Sequence, residues 1–278
     1  RVLREFVEGP GYVHVSPRTV ELARQLLPRL FALCRTDDGK SNALQLPPKT
    51  LSDPDRVVTR LDSFITAYGT RATLFDLWNS NPTFFELLLL LFDRSEFLAE
   101  GLIRAPELLD DLVFGGRLTA RKTAQEILWD LRHGLADADQ HLWLRRYHAA
   151  EFMRLGLRDI LGLVDFEQNL AELSALADAC LQYALESVMR RHKLKQPPFV
   201  IMGLGKLGGS EINYGSDLDI VFVANSKARN LAGLQKFAVE VMDLLSKRTE
   251  QGLLFATDAR LRPDGEKGLL VNTLAAYE

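Results

Sequence analysis

The sequence predicts an α+β protein: a mostly helical N-terminal region followed by a small α/β unit. Apolar residues recur at three- and four-residue spacing, with polar turn clusters between them, from about Ser16 to Lys195. Past Lys195 the pattern changes to short β-branched apolar runs separated by glycine-rich turns, with one amphipathic helix among them. With 278 residues, 47% of them hydrophobic and 26% charged, the chain can bury the core of one large or two modest domains.

In chain order, Val20, Leu22, Leu26, Leu27, Leu30 and Phe31 make the first helical stripe, with Ser16-Pro17 as cap and first turn. Thr36 to Thr50 is polar, contains prolines and reads as a loop. Helices follow over Asp53 to Tyr68, Thr70 to Trp78, Pro82 to Phe92, and Ser95 to Phe114 with a break at Arg104-Ala-Pro. Asn81-Pro82 and Ala105-Pro106 fit cap-plus-proline starts, and Gly115-Gly116 closes the set. Amphipathic stretches then run from Thr119 to Leu161, broken near Gly134, and from Asp165 to Arg191. Gln196-Pro-Pro is a hinge into the α/β unit: strand 199 to 204, glycine turn, strand 217 to 223, helix 230 to 250 ended by Gly252, strand 253 to 261, turn, strand 268 to 272.

Net charge of −3 supplies no overall attraction to nucleic acid or anionic membrane, so a polyanion site has to be local. Cys34 and Cys180 form neither a disulfide framework nor a metal spacing, as expected for a reducing cytoplasm, and both are expected in helix cores. The longest apolar run, Phe84 to Phe92, contains Glu86 and is far shorter than the roughly 20 residues a membrane span needs. No secretory segment opens the chain, which starts at Arg1 and reads as a piece of a longer protein.

The chemistry concentrates between Pro198 and Val223. Phe199 to Leu204 has the apolar character of a buried strand, and Gly203, Gly205, Gly208 and Gly209 let backbone N–H groups approach an anion. The next strand is apolar except for Asp217 and Asp219, which a two-residue period places on one face. Adjacent carboxylates on a half-buried strand need a neutralising cation, and Mg²⁺ takes carboxylate and phosphate oxygens together. Asp258, Arg260 and Arg262 share one face of a third strand: the carboxylate completes a site for one or two divalent ions and the arginines can clamp phosphate oxygens. Either arginine can instead pair with a neighbouring carboxylate.

Other patterns carry less. Gly203-Leu-Gly-Lys-Leu-Gly208 matches a dinucleotide fingerprint, but the segment from Gly209 to Ser216 is too short for a crossover helix, and Lys206 lacks the spacing of a Walker A loop. Arg190, Arg191, His192, Lys193 and Lys195 suit the negative end of a helix dipole. His133, His141 and His148 lie along one helical segment without a metal-binding pattern.

Gly205-Lys-Leu-Gly-Gly, Gly215-Ser-Asp-Leu-Asp-Ile and Asp258-Ala-Arg-Leu-Arg-Pro-Asp-Gly closely resemble the bacterial glutamine synthetase adenylyltransferase family, a branch of the polymerase-β-like nucleotidyltransferases. The likeness continues upstream through Asn81-Pro-Thr-Phe-Phe-Glu-Leu-Leu and Arg104-Ala-Pro-Glu-Leu-Leu-Asp-Asp-Leu. It implies a helical linker or bundle over 1–164 and a partial nucleotidyltransferase domain over 165–278, with the family's following helical bundle beyond Glu278. Family members carry one half that adds AMP and one that removes it by phosphorolysis, and Asp-Ala-Arg-Leu-Arg-Pro resembles the adding, C-terminal half. The resemblance assigns Mg²⁺ to Asp217, Asp219 and Asp258, the triphosphate of ATP to Gly205, Lys206 and Ser216, and charge stabilisation to Arg260 or Arg262. It implies glutamine synthetase as partner, its tyrosine hydroxyl as the attacking group, a PII-type signalling protein and glutamine as regulators, and a cytoplasmic setting without nucleic-acid or membrane partners. Removal of AMP, or a non-catalytic docking fragment, are the alternative readings.

Overall fold

The computed structural model describes residues 2–11, 14–34, 50–109, 118, 120–137, 139–228, 230–249 and 252–277. The expected loop over 36–49 and the Gly115-Gly116 break lie outside the described residues. Two compact units are present: Arg1–Leu118 with Gly156–Leu163, and Thr119–Leu155 with Val164–Glu278.

The first unit contains α1 (Val2–Glu8), α2 (Pro17–Leu33), α3 (Pro54–Tyr68), α4 (Arg71–Ser80), α5 (Pro82–Arg94) and α6 (Glu96–Arg104). Its starts are chemically marked: the Ser16 and Asp53 side chains accept from the backbone N–H of Thr19 and Arg56, each ahead of a proline in the first turn. Asn81 precedes Pro82 but does not cap α5; its side-chain amide donates back to Leu77 O at 3.2 Å. The core is aromatic. Trp78 lies 5.1 Å from Phe85 and 5.7 Å from Phe75 between ring centroids, and Phe64 lies 5.9 Å from Phe92, with all five side chains fully buried. In α2 the buried residues are Thr19, Ala23, Leu26, Leu30 and Leu33, whereas Phe31 is 52% exposed. Adjacent helical positions differ by about 100°, so Phe31 cannot share the face of Leu30. Cys34 likewise is no core residue: it caps α2, half-buried, with its thiol donating to Leu30 O.

The second unit is built on α7 (Ala124–Arg132), a 3₁₀ turn (His133–Ala136), most of α8 (Gln140–Ile160), and α9 (Phe166–Arg191). A buried polar network links these helices. Lys122 donates to Asp130 at 2.9 Å and to Glu151 at 2.5 Å, while Arg154 donates to Glu151 at 2.8 Å and to Glu172 at 3.4 Å. Each charge has an opposite one within reach, the two cations being shared among three carboxylates. The basic end of α9 does more than complement a helix dipole: Arg191 and His192 reach Glu240, at 3.2 and 2.8 Å.

The sheet consists of β1 (Val200–Gly203), β2 (Leu218–Ala224), β3 (Thr257–Asp258) and β4 (Val271–Thr273), with α10 (Gly205–Gly208) after β1 and α11 (Leu231–Ser246) after β2. β2 is the strand with which every other pairs: antiparallel to β1, parallel to β3 and β4. Leu218, Ile220 and Phe222 are fully buried and Val221 nearly so, the near-continuous apolar run of a central strand. α11 packs against α9 and β4, and its Gln235 amide both donates to and accepts from the Val271 backbone, at 3.1 and 3.0 Å.

Three expectations for this unit are corrected. The glycine stretch is not an open turn but one turn of helix, since the amides of Gly208 and Gly209 donate to Leu204 O and Gly205 O. α11 stops at Ser246 rather than near 250, and Gly252 is not its terminator. Arg145 of α8 donates to Lys247 O and to Gly252 O, satisfying the helix end from outside, while Gly252 exchanges backbone bonds with Thr249. The third strand is only two residues long: before it the amides of Leu254 and Phe255 donate to Leu245 O in α11, and after it the Asp258 carboxylate captures the backbone N–H of Arg260 at 2.8 Å.

His148 of α8 is buried edge-on against Phe255, 4.8 Å between centroids, and its Nε2 has no hydrogen-bond partner among the described residues. Burial, helped by the charge of Arg145, depresses its pKa to about 3. Its proton is therefore taken up on unfolding. The stability this residue contributes is present above the unfolded-state value near 6.5 and is lost as pH falls toward about 3. Urea denaturation should show the native protein losing up to about 1.4 kcal/mol per pH unit below pH 6 more than His148→Leu does. Parallel pH profiles for the two proteins would contradict this.

Candidate functional site

The site forms where β2 begins. Asn213 and Ser216 close the turn leading into the strand: the Ser216 hydroxyl donates to the Asn213 side-chain oxygen at 2.8 Å and accepts from its backbone N–H at 3.1 Å. Asp217 follows, exposed, and Asp219 is the second residue of the strand, half-buried. The parallel register sets Asp219 directly across from Asp258 of β3. Ligand oxygens of Asp217, Asp219 and Asp258 all lie within 4.8 Å of one another. The sequence period thus brings the first two to one strand end, and β2–β3 pairing brings in the third.

Gly205 supplies the opposite wall. Its φ is +52°, a backbone conformation that favours glycine, and a Cβ there would sit 2.6 Å from the Asp219 Oδ2 and push that carboxylate aside. A backbone bond from Leu204 N–H to Asp219 O, 2.8 Å, fixes this approach. Because Gly208 and Gly209 spend their amides within α10, the part of the glycine stretch that faces the carboxylates is its opening, Gly205 with the exposed Lys206 after it.

The two arginines separate in role. Arg260 forks onto Asp258, with Nε at 3.0 and 2.9 Å from the two carboxylate oxygens and Nη2 at 2.5 Å from Oδ2. These bonds, with the backbone N–H of Arg260, hold the Asp258 carboxyl below the usual carboxylate range. Arg262 is held by backbone instead: its guanidinium donates to the carbonyls of Ala259, Glu266 and Gly268, at 2.5, 3.2 and 3.4 Å, and braces the loop after β3. Asn213 is the residue that sequence reasoning missed; the Asn-Tyr-Gly-Ser run was a turn signal in plain view.

Fold and site together define an α+β protein with an acidic cluster suited to a divalent cation beside a close backbone approach. Residues 85–278 match the family model described as glutamate-ammonia ligase adenylyltransferase, and the chain belongs to that family. Among similar curated proteins, all described as bifunctional glutamine synthetase adenylyltransferase/adenylyl-removing enzyme, that of Aromatoleum aromaticum is 34% identical over 81% of this chain and 25% of its own length. Those of Thioalkalivibrio sulfidiphilus and Pseudomonas aeruginosa are 30% and 33% identical, over 95% and 81% of this chain and 31% and 26% of their own lengths. The chain spans between a quarter and a third of the length of these relatives. No helix among the described residues is long and apolar enough to cross a membrane.

Replacing Gly205 by Ala tests the close approach. The left-handed backbone alone should cost about 1–2 kcal/mol in urea denaturation. Because the new methyl displaces the Asp219 carboxylate, Mn²⁺ binding followed by electron paramagnetic resonance should also weaken. An unchanged protein on both measures would show that the approach is not required.

Proposed function

We propose that this chain is part of the AMP-adding half of a glutamine synthetase adenylyltransferase, with residues 165–278 forming part of a polymerase-β-like nucleotidyltransferase domain and the helices over 1–164 a linker or bundle. The observation that carries this reading is the convergence of Asp217, Asp219 and Asp258 within 4.8 Å beside Gly205. Three carboxylates so close repel one another unless a cation joins them, and an all-oxygen donor set suits Mg²⁺. The residues fit the ion the family implies.

In this reading Asp217, Asp219 and Asp258 hold Mg²⁺, and Gly205, Lys206 and Ser216 orient the triphosphate of ATP. Bound Mg²⁺ would supply the positive charge that the crowded phosphate oxygens and carboxylates lack. Lys206 adds a point charge, and the narrow gap at Gly205 limits how the phosphate chain can lie. A tyrosine hydroxyl of glutamine synthetase then bonds to the α-phosphorus, the bond from that phosphorus to the bridging oxygen breaks, and pyrophosphate leaves. The hydroxyl proton passes to an aspartate carboxylate or to water. Catalysis is by positioning and electrostatics, without a protein nucleophile. Asp258-Ala-Arg-Leu-Arg-Pro favours the adding direction over phosphorolytic removal. A PII-type protein and glutamine as regulators, and a cytoplasmic setting, follow from the family and are assigned no residues.

Transfer of label from α-labelled ATP to glutamine synthetase, in Mg²⁺, tests the reaction. The chain, within the longer protein that the sequence implies, should label the synthetase, whereas the 278 residues alone lack the bundle expected after Glu278; Asp217→Asn and Asp219→Asn in the longer protein should each lower the rate by at least about 10²-fold. Equal labelling by these variants would remove the metal assignment. Formation of ADP from phosphate and adenylylated synthetase, with no labelling, would reverse the direction.

A further inference from the structure

We propose that Arg260 is a displaceable counter-ion: it occupies Asp258 in the unliganded protein, competes with the divalent ion for that carboxylate, and moves to a phosphate when nucleotide and metal arrive. This deepens the reading above and rests on it.

Both oxygens of Asp258 are engaged by Arg260, through Nε at 3.0 and 2.9 Å and Nη2 at 2.5 Å. A metal bound to Asp258 must take lone pairs that these donors now use, so the two cations exclude one another at this carboxylate. Departure of the guanidinium leaves the fold intact. The Arg260 side chain is 66% exposed, and among the described residues its guanidinium donates to Asp258 alone. Asp258, by contrast, stays where it is: the backbone N–H of Arg260 holds its Oδ1 at 2.8 Å, and β3 holds its backbone beside Asp219. Only the side chain of residue 260 has to move.

The released guanidinium has a planar fork of donors that matches two phosphate oxygens as well as it matches a carboxylate. A nucleoside triphosphate therefore gives Arg260 an alternative partner at the moment its place is taken. Arg262 cannot do this, being tied to three backbone carbonyls. The consequence is coupling. Without a polyphosphate the divalent ion must expel Arg260 into water, and with one it does not, so each ligand raises the affinity for the other.

The test is Mn²⁺ titration of the 278-residue chain without nucleotide, followed by electron paramagnetic resonance of the unbound ion. Arg260→Ala should bind Mn²⁺ about tenfold more tightly than the native protein. Arg260→Lys separates competition from simple charge, because it keeps the positive charge and loses the fork. It should bind more tightly too, by several-fold, and both variants should bind the fluorescent analogue trinitrophenyl-ATP more weakly at saturating Mn²⁺. Equal Mn²⁺ affinity for the native protein and Arg260→Lys would reduce the effect to charge and overturn the proposal while leaving the metal site in place. Mn²⁺ binding unaffected by Asp258→Asn, or absent from the native protein and every variant, would overturn the proposal and the metal site together.

Discussion

Mutual repulsion among three carboxylates governs the design of the α/β unit. Backbone pairing sets Asp219 across from Asp258, and Asp217 just ahead of β2 completes a cluster within 4.8 Å. At that distance like charges in a partly desolvated setting destabilise the fold unless a positive charge is held among them. Arg260, forked onto Asp258, sets one positive charge at the edge of the cluster.

The rest of the unit makes that convergence rigid. β2 is largely buried and paired with all three other strands, so its first residues cannot shift without disturbing the sheet. Leu204 N–H on Asp219 O and the missing side chain at Gly205 press the opening of α10 against the carboxylates. Arg262 braces the loop after β3, and Ser216 with Asn213 braces the turn before β2. Rigidity is concentrated in the backbone and in the residues that brace these turns, which leaves Arg260 and Lys206 as long, exposed side chains beside the site.

Much of this was legible in the sequence, and the failures have local causes. The helix opened by Ser16-Pro17 was readable because cap and proline chemistry acts within a few residues, and those beginning at Asp53 and Asp165 because their apolar period starts there. Asp-x-Asp on an apolar strand stood out because a core strand has no other use for paired charge. The extent of β3 was not readable, since the captured amide of Arg260 depends on which way the Asp258 side chain turns. Nor was the end of α11, which is satisfied by Arg145 from a helix about a hundred residues earlier in the chain. Periodicity placed Asp258, Arg260 and Arg262 on one face, yet a two-residue strand preserves that alternation for none of the residues beyond it.

A single diffraction measurement tests the central claim most directly: the anomalous signal of Mn²⁺ in crystals grown with a non-hydrolysable ATP analogue. The account predicts a peak bonded to oxygens of Asp217, Asp219 and Asp258, at roughly 2.0–2.3 Å, with the phosphate chain on the Gly205 side. A peak coordinated by phosphate and water alone, with Asp258 still forked to Arg260, would contradict it.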